Sequence, residues 1–107
     1  SSTPHFTFPD YPNGGLRTTV LDLSKILRVI AMKGELNGER ILKSETVTLM
    51  QKETSTIKRG SITFHPGLGM YYRKVGTLNL YGHSGGEQGT TTDMLLDIDT
   101  GVGAIVF

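Results

Sequence analysis

Tyr81-Gly82-His83-Ser84-Gly85-Gly86-Glu87-Gln88-Gly89 gathers a histidine, a serine and four glycines in nine residues, and the stretches on either side of it set the fold. Before it, Thr77-Leu78-Asn79-Leu80-Tyr81 alternates apolar and polar, the period of a half-buried strand. After it, Thr90-Thr91-Thr92-Asp93-Met94-Leu95-Leu96-Asp97-Ile98 is rich in β-branched residues and reads as a second strand. The glycines are therefore expected at the end of one strand and in the turn to the next. Lacking a Cβ, they would let backbone N–H groups come close to a bound oxygen, as an oxyanion site requires.

Working outward, the C-terminal half reads as β throughout. Strands are expected at about 62–64, 68–75, 78–83, 90–98 and 102–107, and Asp97-Ile98-Asp99-Thr100-Gly101 is the clearest turn between them. Connections this short force antiparallel pairing. The N-terminal half is helical. Thr19 is an N-cap with Asp22 in the first turn, and Leu23, Ile26, Leu27 and Ile30 form one apolar face of a helix from Val20 to about Lys33, stopped by Gly34. Asn37-Gly38 is a tight turn. Ser44 is expected to cap a shorter helix over Glu45 to Lys52 with Val47 and Met50 inward, and Glu53 to Gly60 to be a loop. Residues 1–11, with two prolines and two phenylalanines before Tyr11, read as an extended arm carrying His5 on its surface. The fold class is α+β: two helices followed by an antiparallel β-meander, one domain over residues 1–107.

Composition excludes several functions. Eleven basic and ten acidic side chains are interspersed, for a net charge of +1, so there is no electrostatic footprint for nucleic acid or an anionic membrane. Lys58-Arg59 and Arg73-Lys74 read as solvated loop and strand-edge charges. With no cysteine there is no disulfide framework. No apolar run approaches a membrane span, and the opening residues, without a charged-plus-apolar pattern, carry no expectation of a signal peptide. His5, His65 and His83 are too far apart in sequence for a zinc-ligand pair, and Asp93, Asp97 and Asp99 are not spaced as a calcium loop. No cofactor is implied.

Gly82-His83-Ser84-Gly85-Gly86 also spells G-x-S-x-G, the nucleophile elbow of the α/β-hydrolases, but the context refuses that reading. An elbow serine is followed by a helix and, later, a histidine. Here a strand follows, and no histidine lies beyond Ser84.

The order of the segments carries a different likeness. Pro12-Asn13-Gly14-Gly15-Leu16-Arg17-Thr18-Thr19 leads into Asp22-Leu23, then come Asn37-Gly38-Glu39-Arg40-Ile41-Leu42-Lys43-Ser44-Glu45-Thr46, Gly67-Leu68-Gly69-Met70 and Gly82-His83-Ser84-Gly85-Gly86. This succession resembles the C-terminal part of the serine β-lactamase-like family, which includes class C β-lactamases, penicillin-binding DD-peptidases and related esterases. In that family a strand bearing K-[ST]-G, or H-[ST]-G in many members, lines the active site. The resemblance implies that His83 stands at the Lys position, Ser84 at the Ser/Thr position and Gly85 at the Gly position. It further implies that the N–H of Gly86 is an oxyanion donor, with Gly85 and Glu87 beside the substrate. The family's nucleophile motif S-x-x-K and its Y-x-N or S-x-N motif have no counterpart. Ser55-Thr56-Ile57-Lys58 spells S-x-x-K, but in a polar stretch without the buried helix start that the family's serine needs.

Two functions follow. In the first, the chain is the substrate-site portion of a serine hydrolase acting on amide, lactam or ester bonds, inactive alone, with a small-molecule or peptide-like substrate in the complete enzyme. Exported relatives make a periplasmic or secreted location the corresponding expectation. In the second, it is a non-catalytic module used for binding or self-association. The abrupt apolar end Val102-Gly103-Ala104-Ile105-Val106-Phe107 adds the expectation of a homo-oligomer. The bland alternatives are a strand-end histidine at 83, a turn hydroxyl at Ser84, packing roles for Tyr71, Tyr72 and Tyr81, and an exposed loop position for His65.

Overall fold

A computed structural model describes residues 9–107, without the side chain of Ile62. The expectations for residues 1–8, His5 among them, lie outside that range. Residues 9–14 form a turn in which Asn13 N–H donates to the Asp10 carbonyl at 2.8 Å.

Helix α1 spans Val20–Ala31. Thr19 caps it from an extended conformation, its hydroxyl accepting the Asp22 N–H at 3.1 Å. At the other end Lys33 and Gly34 take positive φ, 53° and 99°, and Gly34 N–H donates to the Val29 carbonyl at 2.8 Å. The chain then makes a hairpin of β1 (Glu35–Leu36) and β2 (Glu39–Arg40) across Asn37-Gly38, both with positive φ as a tight primed turn demands.

Helix α2 spans Ser44–Gln51 and differs from expectation at its start. Lys43 is the capping residue and contributes no side-chain bond, so Ser44 is not the cap. The Lys43 carbonyl already accepts the Thr46 and Val47 N–H groups, which puts Ser44 inside the first turn.

Six strands follow, β3 (Ile57–Arg59), β4 (Ile62–Pro66), β5 (Tyr71–Val75), β6 (Leu78–Glu87), β7 (Thr90–Asp97) and β8 (Gly103–Val106). They pair antiparallel in chain order, the meander expected. β3 lies where a loop was expected. All three of its residues are exposed, so burial leaves no alternation in its sequence, and its pairing with β4 across Gly60-Ser61 is what orders it. Two other boundaries moved. Residues 67–70 are the β4–β5 turn rather than the start of a strand, closed by Gly67 N–H on the Met70 carbonyl at 2.8 Å. β6 runs on through its glycines to Glu87, so they belong to a strand, and the turn is Gln88-Gly89 alone.

Both helices lie on one face of the sheet. Leu27 and Ile30 of α1 and Val47 of α2 meet Tyr81, Met94 and Leu96, which alternation places on a common face. Val47 and Leu96 are essentially inaccessible, and side chains of this kind contribute roughly 1.5–3 kcal/mol each on burial. The Met50 carbonyl at the end of α2 joins the layers, accepting both Leu68 N–H at 2.9 Å and the Tyr81 hydroxyl at 3.0 Å. That same carbonyl would lie 2.3 Å from a Cβ at position 67, which accounts for the first glycine of Gly67-Leu68-Gly69-Met70.

Tyr81 makes this junction pH-sensitive. Burial first, and the neighbouring Tyr72 second, push its phenol up to about 12. The unfolded chain loses this proton near the ordinary tyrosine value of about 10. Above that pH the unfolded state therefore holds fewer protons than the native one, so stability falls as pH rises. Between pH 10 and 12 we expect a loss on the order of 2 kcal/mol from this group. Urea unfolding at pH 9 and pH 11.5 measures it. Tyr81→Phe should flatten that part of the slope, and an unchanged slope would refute the assignment.

Candidate active-site edge

The distinctive local feature is the difference between the two edges of β6. Toward β7 the pairing is continuous, from Leu80 opposite Asp97 to Glu87 opposite Thr90. Toward β5 it ends at Gly82, opposite Tyr71. Continuing that register would set Ser84 against Gly69, but Gly69 sits in the β4–β5 turn with φ 75° and offers no strand. From His83 onward, β6 thus has one edge without a neighbouring strand among the described residues.

Tyr71, the first residue of β5, reaches along this edge. Its hydroxyl accepts the Ser84 N–H at 2.9 Å and is also hydrogen-bonded to Ser84 Oγ. Its ring lies 5.7 Å from that of His83, tilted by 50°, and meets Phe64 edge-on at 5.2 Å. The Ser84 N–H therefore points to the open edge. Because N–H groups alternate between the two edges and the β7 register is unbroken, the Gly86 N–H points the same way.

The expected site residues are arranged as follows. His83 is exposed on the face shared with Tyr81, and Ser84 is half-buried on the opposite face, so the two side chains diverge. Gly85 pairs with Thr92, and a Cβ there would approach Thr92 Oγ1 to 2.7 Å. Gly86 has nothing within 4 Å of a notional Cβ. Glu87 is exposed at the last β6 pair, opposite Thr90. Ser55 and Lys58 are both exposed, Ser55 outside regular structure and Lys58 on β3, so they do not form a buried helix-borne pair.

Three expectations need correction. Tyr71 was read as packing alone, yet it touches both His83 and Ser84. The only sequence signal was its position immediately after the Gly67–Met70 turn. Arg73 was read as a solvated edge charge, but its Nη2 donates to Asp93 Oδ2 at 2.7 Å, with the two side chains 25% and 34% exposed. Asp93 stands opposite Ser84, so this ion pair crosses β6 on the Ser84 face. His65 is on β4, not in a loop, with Nδ1 3.3 Å from Glu53 and 3.4 Å from Thr56. Tyr72 and Tyr81 do pack, their rings 4.9 Å apart.

Among the described residues, no group of three or more His, Cys, Asp or Glu could hold a metal ion, and no helix is long and apolar enough to cross a membrane.

The chain thus combines two helices on one face of an antiparallel sheet with a glycine-bearing strand edge that lies beside a histidine. The family model described as Beta-lactamase matches residues 1–107, and the chain belongs to that family. No curated protein and no solved structure gives a significant match to it.

Proposed function

We propose that this chain is the substrate-site portion of a serine hydrolase acting on amide, lactam or ester bonds, corresponding to the C-terminal part of the β-lactamase-like fold. One observation carries the reading. The Gly86 N–H points out of a strand edge that has no neighbouring strand among the described residues, at a position where nothing described would meet a Cβ. Gly82 is different, because a Cβ there would lie 1.8 Å from the Met94 carbonyl oxygen, so its lack of a side chain is explained by packing. At Gly86 packing gives no such reason, and the close approach of a ligand oxygen does.

In this reading the acyl-enzyme forms on a serine outside these residues. The Gly86 N–H donates to the developing oxyanion, which a preorganised main-chain donor stabilises without reorganising at the moment of reaction. His83 faces the acyl group from the helix side of the sheet, where the family carries its lysine. Gly85 keeps the approach low, and Glu87 borders it. Ser84 contributes through the strand, since its hydroxyl and N–H are both engaged by Tyr71.

Labelling by fluorophosphonate and β-lactam probes, read by intact mass, is the test. The 107-residue chain alone should give no adduct. The complete protein should label stoichiometrically on a serine preceding this portion. An adduct on Ser84 or Ser55 would overturn the reading. Failure of the complete protein to label would favour the non-catalytic module, for which the exposed β8 edge, with Val106 63% accessible, offers a surface for binding or self-association.

A further inference from the structure

We propose that Tyr71 is a positioning residue that sets the register in which an extended ligand meets β6. The proposal rests on the reading of the Gly86 edge given above, and it assigns a function to a residue outside the glycine-rich motif.

Two donors point to the open edge, the N–H groups of Ser84 and Gly86, roughly 7 Å apart as residues i and i+2 of a strand. An extended carbonyl-bearing chain could dock on either, and the two registers would displace its acyl carbon by one strand repeat. The Tyr71 hydroxyl removes that ambiguity by accepting the Ser84 N–H at 2.9 Å. It occupies the place of a strand carbonyl where β5 has already turned away through Gly69. Gly86 is then the donor at which the ligand oxygen can be received.

The hydroxyl is held in place from several sides. Ser84 Oγ binds it directly, Phe64 meets the ring edge-on, and the ring lies against His83. The phenol can therefore plug the first donor without swinging into the second. Its contact with His83 adds a consequence, because the same side chain that closes the Ser84 position supports the histidine beside the acyl group. The ligand class that this geometry selects is an acyl group carried on an extended, amide-like backbone, entering opposite Gly86.

Tyr71→Phe isolates the hydroxyl while keeping both ring contacts. Amide hydrogen exchange and ¹H–¹⁵N spectra of the 107-residue chain report on it without any turnover, so a failed hydrolase assay and a failure here remain distinguishable. In the variant, exchange at Ser84 should accelerate by roughly tenfold, the scale of one lost hydrogen bond, with Gly86 and the remaining β6–β7 amides unchanged. A blocked dipeptide, acetyl-glycyl-glycine amide at millimolar concentration, should shift Gly86 but not Ser84 in the native chain, and both in the variant. Unchanged exchange at Ser84 would overturn the proposal. So would general acceleration across β5 and β6, which would make the bond a strand cap only. A probe that shifts Ser84 in the native chain, fails to gain Ser84 in the variant, or shifts neither residue in either protein would also overturn it.

Discussion

Gly82→Ala is expected to destabilise the chain by about 3 kcal/mol, the upper end of overpacking effects, because the obstacle is backbone rather than a side chain able to rotate away. The added Cβ would lie 1.8 Å from the Met94 carbonyl oxygen and 3.0 Å from the Leu95 Cα, both on β7, the strand to which β6 is most continuously paired. Relief requires separating β6 from β7 beside Tyr81 and Met94, two residues of the core. At this chain length the effect corresponds to a fall in thermal midpoint of roughly 12–24 °C. Gly86→Ala on the same strand, where nothing lies within 4 Å, should shift stability by about 0.5 kcal/mol or less. Calorimetry of the two variants is the measurement. Equal losses would mean that the glycines of β6 serve one common structural purpose.

The second large effect is catalytic. Gly86→Pro removes the one N–H in question, at an edge position where proline takes nothing from the β7 ladder. On the proposed function, kcat of the complete protein on a small ester should fall by ~10²–10³, the usual consequence of losing one oxyanion donor. The thermal midpoint should move by only a few degrees. Gly86→Val, which keeps the N–H but crowds its surroundings, should also lower kcat. His83→Ala should do the same by removing the side chain that the proposed function sets beside the acyl group on the helix side. Undiminished kcat together with a lowered midpoint would show that the stretch is scaffold alone.

These experiments divide a motif that looks uniform as sequence. Gly82, Gly85 and Gly86 are the same residue type within five positions, yet their surroundings differ from a backbone carbonyl, to a rotatable threonine, to open space. The proposed function accordingly rests on Gly86 and not on Ser84, whose hydroxyl is already bound by Tyr71.

Local chemistry sufficed for much of the fold. The Thr19 cap, helix α1, the Asn37-Gly38 turn and the strand leading to Tyr81 each depend on residues within a few positions of one another, and all are present in the structure. Within them Ile26 is exposed while Val29 is buried on α1, and Leu78 is exposed on β6, because the layer packed on each element selects its buried side. The family was legible for a related reason, since the ordered motifs from Asn13-Gly14-Gly15 to His83-Ser84-Gly85-Gly86 carry it. Interactions across the sheet were not legible. β3 is exposed on both faces and exists through its pairing with β4, so no periodicity betrays it. The continuation of β6 through Gly85 and Gly86 depends on Thr91 and Thr92 of the next strand, since glycines have no side chains to show a period. The Arg73–Asp93 pair spans two strands and twenty positions of sequence, and the Tyr71–Ser84 bond spans thirteen. Which edge of β6 stays open was decided by the early end of β5 at Tyr71, a consequence of where the Gly67–Met70 turn is tied to α2 through the Met50 carbonyl. That tie joins residues far apart in the chain, and only the folded arrangement brings them together.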